Sequence, residues 1–454
     1  MRYLSPTPLL AALIAFCAIS TNLGCGTACP DIIKDFNQFE ASLETPVASQ
    51  AREPDARLRF PLKAANALIA ELIRDRLNHP VALPPMSLPG GIRLPLPPLF
   101  WALSAVQMVV GGDDKLRAHV ELELRDATGS IVAFAIDTRL QTVFEHKVKG
   151  LVTGARWTLA PDQIERVVPT LSVGGPDRIA RWLGDQLPPA LKFIGDRALI
   201  EALLPELLNV ATNDGWPDIR DQVLGTEPLI DFAFAVPPEW GIARMKLNGT
   251  QATGTHSGAI ELVMWPNLSK EAASASRGAS PLDSRSEAPQ LALSGPLAVH
   301  LVAKAQHRGE LPGRFASDGT IDAEGPWHVR AVWQDGRRPF GAYLWRFDSS
   351  CRRVDLDANL DLALDGEELA VTVKDARVEG VKGPAFAEAF AWIERLFGAA
   401  TDLTFRQATN LALEVGDANF HLKPSAVSHD SRGIAATLAY EVRRRGSPSS
   451  RSVQ

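Results

Sequence analysis

Three short runs of this sequence combine residue types that could do chemistry. His119, Glu121 and Glu123 alternate along one predicted strand and could hold a metal ion, but alternation places them together on the side that faces solvent. Residues 355–361 carry three aspartates and an asparagine at alternate positions, without the glycine and glutamate that an EF-hand calcium loop requires. Residues 254–258 contain an adjacent histidine and serine, but not the spacing of a nucleophile elbow. These runs therefore predict no metal site and no local catalytic site.

The sequence also lacks the motifs and the charge that mark several broad functional classes. It has no phosphate-cradling glycine loop and no HExxH motif, and we expect neither a cofactor nor catalysis. A hydrolase whose catalytic residues come from distant positions stays an alternative. The 47 basic and 53 acidic residues leave a formal charge of −6 at pH 7. Because nucleic-acid binding needs a concentrated basic surface, we expect no nucleic-acid partner.

The first 24 residues have the pattern of a secretory signal peptide. Arg2 provides a positive start, and residues 9–20 form an almost wholly apolar run. This run is too short to span a membrane, which takes about 20 apolar residues. The pattern predicts that the protein is exported.

The same segment resembles a bacterial lipoprotein signal, although Asn22 stands where that family prefers leucine. The resemblance implies that Cys25, which follows a glycine, is acylated and becomes the mature N-terminus. Cys29 is the alternative site, and a plain secreted protein is a second alternative. In this family, an aspartate after the acylated cysteine often retains the protein in the inner membrane. Gly26 occupies that position here, which favours an outer membrane lipoprotein facing the periplasm or the cell surface.

The cysteine count permits one disulfide. The chain has four cysteines, and removal of the signal peptide would remove Cys17. If Cys25 is acylated, Cys29 and Cys351 remain, and an even remainder in an oxidising compartment can pair. Two unpaired thiols are the alternative. A disulfide between them would join the N-terminal arm to the C-terminal half.

Hydrophobic periodicity divides the chain into regions, two of which combine strands with amphipathic helices. In order, the predicted regions are a signal peptide (1–24), an N-terminal tether with a short helix (25–56), a first α+β module (57–265), a flexible linker (266–289), a second α+β module (290–443) and a disordered tail (444–454). The linker prediction rests on a serine- and alanine-rich composition with scattered charges and no periodicity.

Long alternating strands dominate both predicted modules. Residues 116–124 alternate apolar with charged or polar side chains, and the apolar face of a second strand runs over 132–144. In residues 354–364 the apolar side chains again occupy every second position. Strands of this length with one apolar face and one wet face are typical of antiparallel sheets. Amphipathic helices are predicted beside them at 65–73 and 386–397.

This combination resembles the TULIP family, the tubular lipid-binding domains of bactericidal/permeability-increasing-type proteins. The likeness is carried by Leu58–Leu77 and Leu116–Phe144, with Val354–Phe397 as a second copy. Pro80–Pro98 and Pro176–Val210 depart from the family pattern. The resemblance implies an α+β fold of two TULIP-like modules, in which long curved antiparallel sheets pack with amphipathic helices.

A helix packed on a strongly curved sheet can leave an elongated apolar groove, and such a pocket favours a lipid or another amphiphile. The side chains expected to line it are Leu68, Leu72, Leu122 and Phe134. Ordinary core packing is the alternative for each of them. The predicted function is a cell-envelope lipoprotein that binds or carries a lipid-like ligand and is attached to the membrane through its acyl anchor. A structural lipoprotein with filled cores, whose acidic strand over 355–361 contacts an envelope protein, is the alternative.

Overall fold

A computed structural model describes the chain apart from residues 1–28, 50, 52, 73, 75–80, 83–86, 89–91, 94–98, 112–114, 144–146, 149–150, 153, 160–163, 187–197, 199–201, 203–229, 237, 253–257, 319, 335–339, 348–350, 366–367, 384–402, 409–410, 416–417 and 445–454. The predicted signal peptide and Cys25 lie outside the described residues, as does the predicted tail beyond Arg444.

Strands make up most of the described structure, and helices are fewer. The described helices are α1 (29–44), α2 (Leu62–Leu72), α3 (Gly175–Gln186), α4 (Lys270–Ala275) and α5 (Gly295–His307), with a short 3-10 helix at Pro238–Trp240. None of the helices in the described ranges is long and apolar enough to cross a membrane.

In chain order, the described strands are β1 (Val47–Ala48), β2 (Ala56–Pro61), β3 (Val81–Ala82), β4 (Ser87–Leu88), β5 (Ile92–Arg93), β6 (Phe100–Val110), β7 (Leu116–Asp126), β8 (Gly129–Arg139), β9 (Gln141–Val143), β10 (Lys147–Val148), β11 (Leu151–Val152), β12 (Gly154–Leu159), β13 (Ile164–Leu171), β14 (Ile230–Ala235), β15 (Ile242–Thr250), β16 (Ala259–Leu268), β17 (Gln290–Ser294), β18 (Arg314–Phe315), β19 (Trp327–Trp333), β20 (Phe340–Arg346), β21 (Arg352–Asp365), β22 (Glu368–Lys382), β23 (Leu403–Ala408), β24 (Leu411–Val415), β25 (Ala418–His429) and β26 (Gly433–Arg444).

Three larger antiparallel sheets organise these strands. The N-terminal sheet has the order β13-β8-β7-β6-β3, and the C-terminal sheet has the order β18-β19-β20-β21-β22-β23. The central sheet has the order β1-β16-β2-β17-β26-β25-β24, and β15 also pairs with β16. A three-stranded sheet, β14-β12-β9, and two short strand pairs complete the described strands. This is an α+β architecture built mainly of antiparallel sheets.

The central sheet takes strands from both predicted modules. Strand β2 pairs with β16 on one side and with β17 on the other, and β17 pairs with β26. The two halves of the chain therefore share one hydrogen-bonded sheet, while the division into two TULIP-like modules stays a prediction.

Residues 266–289 differ from the flexible linker that their composition predicts. They include α4, whose Ala272 and Ala273 are buried. The Ala279 N–H donates to the Pro54 carbonyl at 2.7 Å, and the Arg59 guanidinium donates to the Ser284 carbonyl at 2.7 Å. Buried small side chains and hydrogen bonds to backbone carbonyls hold this segment in place, and neither feature produces a hydrophobic period.

The long strand predicted over 132–144 is divided between two sheets. Strand β8 ends at Arg139 in the N-terminal sheet, and β9 begins at Gln141 and pairs with β12. Leu140 between them is buried, and its N–H donates to the Leu116 carbonyl. The sequence pattern does not show the break, because alternation follows the side-chain period of two along a strand and carries no information on which sheet the strand joins.

Helix α5 begins where β17 ends and packs against the C-terminal sheet. Ser294 is its N-cap, and its hydroxyl accepts a hydrogen bond from the Leu297 N–H. Pro296 occupies the first turn, where a missing N–H has no cost. At Gly295 a Cβ atom would overlap the ring of Trp333, so the close approach of helix and sheet requires glycine there.

Candidate functional site

The N-terminal sheet has one continuous apolar face. Antiparallel register places Leu103 beside Leu122 and Leu122 beside Phe134, forming one row across β6, β7 and β8. In the next row, Val120 of β7 is paired with Ile136 of β8. Because side chains alternate along a strand, successive rows project on the same side and meet as a single surface. Leu122 and Phe134 are 5% and 7% exposed and belong to one hydrophobic cluster.

Helix α2 packs against this sheet through two hydrogen bonds and a stripe of apolar side chains. The Asn66 side chain accepts from the Met108 N–H at 2.6 Å and donates to the Met108 carbonyl at 3.2 Å, which fixes α2 on β6. Ile69 is buried in the same cluster as Leu122, and Leu68 is half-buried against it. The structure therefore pairs Leu122 with Phe134 and places Leu68 against the same hydrophobic cluster. Leu72 ends the helix, and its side chain lies outside the described residues.

One end of the apolar face is less buried than its centre. Trp101, Leu103 and Leu124 are half-buried, whereas Val120 and Ile136 are each 1% exposed. The Trp101 ring packs at 5.2 Å from the ring of Phe134. Its indole nitrogen is buried and has no hydrogen-bond partner among the described residues. Sequence reasoning missed Trp101, which lies in a strand that the alternation pattern did not single out.

The opposite face of the sheet is polar. His119 Nδ1 lies 2.9 Å from the Asp137 carboxylate, and Nε2 lies 3.6 Å from the Glu121 carboxylate. The side chains are 30%, 40% and 51% exposed, respectively, so solvent reaches all three. Glu123 pairs with Arg125 at 3.8 Å. Within the described residues, no group of three His, Cys, Asp or Glu side chains is arranged to hold a metal ion.

The first described helix is tied covalently to the C-terminal sheet. Cys29, at the start of α1, forms a disulfide with Cys351, which lies next to β21, with the two Cα atoms 5.0 Å apart. Phe36 and Phe39 on α1 pack against the Trp345 ring at 5.3 and 5.5 Å. The disulfide holds α1 at its first residue, and the aromatic cluster holds it further along its length.

Charged groups on α1 meet charged groups of the C-terminal sheet. The Arg353 guanidinium donates to both Asp35 oxygens, at 2.7 and 2.8 Å, and to Asp355 at 2.6 Å. Burial alone would raise the pKa of Asp35, but hydrogen bonds from Trp345 and Arg353 outweigh burial and lower it. Burial alone would lower the pKa of Arg353, and its hydrogen bonds to Asp355 and Asp35 reverse that shift and raise it.

A second ion-pair group lies one turn further along α1. Glu40 accepts from Arg330 Nε at 2.8 Å, and it also contacts His307 Nδ1 on α5. His307 Nε2 lies 3.3 Å from the Glu44 carboxylate. The apolar stripe of α1 is visible in the sequence, but the partners of its polar residues come from positions more than 260 residues away and could not be found by spacing.

Comparisons with known proteins find only weak structural similarity. No protein-family model matches the chain, and a search of curated proteins finds no match. Among solved structures, P47 of Clostridium botulinum E1 is 9% identical with a TM-score of 0.37, covering 86% of this chain and 99% of that one. P47 from Clostridium botulinum A2 is 9% identical with a TM-score of 0.35, covering 86% and 98%. A lipopolysaccharide binding protein is 10% identical with a TM-score of 0.26, covering 87% and 100%. These TM-scores are too low to establish a shared fold.

Proposed function

We propose that this chain is an exported envelope lipoprotein that binds a lipid-like apolar ligand on the apolar face of the N-terminal sheet, and that it has no catalytic role. The observation that carries the proposal is the set of apolar rows across β6, β7 and β8, with a half-buried end at Trp101, Leu103 and Leu124. An acyl chain is the ligand that matches a surface of this kind, because it needs few polar partners.

Hydrophobic transfer alone would give such a ligand useful affinity. Each buried CH₂ group contributes about 0.8 kcal/mol. About ten buried methylene groups would provide roughly 8 kcal/mol before the entropic cost of association, and about 8 kcal/mol of net binding free energy corresponds to a micromolar Kd. No catalytic residue is required for this binding.

The disulfide limits which cysteine can carry the proposed acyl anchor. A sulfur held in the Cys29–Cys351 bond is not available for acylation, which leaves Cys25 as the acylation site in our proposal. Four residues of extended chain reach at most about 14 Å, so an acyl group on Cys25 would hold the start of α1 close to the membrane surface. We propose the outer membrane as that surface, on the strength of Gly26.

Native mass spectrometry after gentle extraction tests the ligand. The purified protein should carry co-purified lipid, and Leu124→Gln should lose most of it, because the change places an amide in the half-buried end of the apolar face. Glu121→Gln is the matched control, since it introduces the same side chain on the wet face of the same strand and should keep the lipid.

Two results would count against the proposal. A wild-type protein that carries no lipid, and takes up none from phospholipid vesicles, would show that the apolar face is a filled core. Co-purification of an envelope protein in the absence of lipid would support the structural alternative. The intact mass of the mature N-terminus tests the acyl group on Cys25 separately.

A further inference from the structure

Trp101 carries a polar atom in an otherwise apolar surface. It lies in β6, paired in register with Leu124 of β7, and its ring contacts Phe134. The indole Nε1 is buried and donates to no group in the described part of the chain. The neighbouring side chains, Leu124 and Phe134, contain no acceptor.

An N–H group in this state is costly without a partner. A buried donor that loses its hydrogen bond to water costs about 1–3 kcal/mol. Buried tryptophan N–H groups therefore usually find an acceptor, and an exception needs an explanation. A bound ligand that offers an oxygen at the half-buried end of the apolar face would remove this cost.

We propose that Trp101 selects for amphiphiles that carry a hydrogen-bond acceptor next to the acyl chain, as the ester carbonyl of a glycerolipid does, over plain hydrocarbons. This inference rests on the proposed function. In the complex, the acyl chain lies along the apolar rows, and the indole N–H donates to the ester carbonyl.

Two probes of similar length, one with an ester acceptor and one without, test the selection. The full mature protein, stripped of lipid, is loaded with the fluorescent reporter N-phenyl-1-naphthylamine, which is then displaced by methyl tetradecanoate or by pentadecane. One net hydrogen bond of about 0.5–1.5 kcal/mol corresponds to a preference for the ester of about 2- to 12-fold in the wild type. Trp101→Phe keeps an aromatic ring and removes the donor, so the preference for the ester should be lost, or reversed in favour of the hydrocarbon, because the buried ester would then have no partner.

Trp265→Phe is the matched control. Its indole nitrogen is also buried and unpartnered among the described residues, but the Arg244 guanidinium lies 3.8 Å above its ring, and Trp265 belongs to the central sheet. This variant should keep the ester preference of the wild type. Trp101→Leu, which lacks the donor as well, repeats the test if Trp101→Phe does not fold.

The outcomes separate the two proposals. If the wild type binds the reporter and both probes, and Trp101→Phe keeps the ester preference, the role of Trp101 is wrong while lipid binding stands. An equal affinity of the wild type for ester and hydrocarbon overturns the role of Trp101 as well. If the wild type binds neither the reporter nor the probes, the proposed function itself fails.

Discussion

The burial of His300 should lower the free energy of unfolding in mild acid. This histidine lies in α5 and is 2% exposed. Its Nδ1 accepts a hydrogen bond from the Ser269 backbone N–H at 3.3 Å, so Nδ1 cannot carry a proton in this arrangement. The proton of the neutral ring is on Nε2, which has no partner among the described residues. Burial, together with the positive charge of Lys304, lowers the pKa of His300 to about 4.

The sign and size of the effect follow from this pKa. An unfolded histidine titrates near pH 6.5. As the pH falls from about 6.5 to about 4, the unfolded chain gains a proton that folded His300 does not accept, so protons favour unfolding. The contribution is about 1.4 kcal/mol per pH unit and reaches about 3 kcal/mol at the lower end of this window. Above about pH 6.5, His300 does not make the free energy of unfolding depend on pH.

Urea unfolding of His300→Asn at pH 7.5, 6.0 and 5.0 measures this contribution. Asparagine keeps an acceptor near the Nδ1 position but does not titrate, so the variant should be less stable at pH 7.5, because packing is lost, and should lose less stability in acid. The difference in unfolding free energy between wild type and variant should shrink by about 1.4 kcal/mol per pH unit below pH 6. His429→Asn, at an exposed histidine, is the control and should follow the wild type. Parallel curves for the wild type and His300→Asn would refute the reasoning.

Three further changes test how α1 and α5 are held. Cys351→Ala removes the disulfide to Cys29 and should cost about 2–5 kcal/mol, seen as lower thermal stability and earlier proteolysis of residues 29–44. Glu40→Gln leaves Arg330, whose side chain is 7% exposed, without its carboxylate and should cost about 3 kcal/mol in chemical unfolding. Gly295→Ala forces α5 away from the C-terminal sheet and should lower the unfolding free energy by about 1–3 kcal/mol.

For each of these three changes, a specific result would contradict the expectation. A reducing agent should destabilise the wild type and leave Cys351→Ala unchanged, and equal responses would show that the disulfide is not formed. A wild-type stability for Glu40→Gln would mean that its ion pairs are fully offset by desolvation. Gly380→Ala, where an added Cβ meets only ordinary contacts, should cost less than Gly295→Ala, and equal costs would remove the steric argument.

Elements with a clean hydrophobic period could be predicted from the sequence. The alternation over 116–124 predicts β7 and its two faces, because the side-chain period of a strand is two and the chain buries only one face there. The helical period predicts α2 and most of α1 for the same reason. Leu68, Leu122 and Phe134 fall in one cluster, since each lies on an apolar face that must be covered. Their role in ligand binding stays a prediction.

Other features depend on which distant segments meet. Asp35 finds Arg353 318 positions away, and the Trp101 N–H meets no acceptor among the described residues because of what packs around it. Residues 266–289 carry no period, yet they pack onto the rest of the chain through backbone hydrogen bonds and buried small side chains. The order of residues was enough to define the faces of the periodic elements, because periodicity is a local property of the chain. The ion pairs, the shared central sheet and the unpartnered donor arise only on folding, because they depend on contacts whose partners no local pattern specifies.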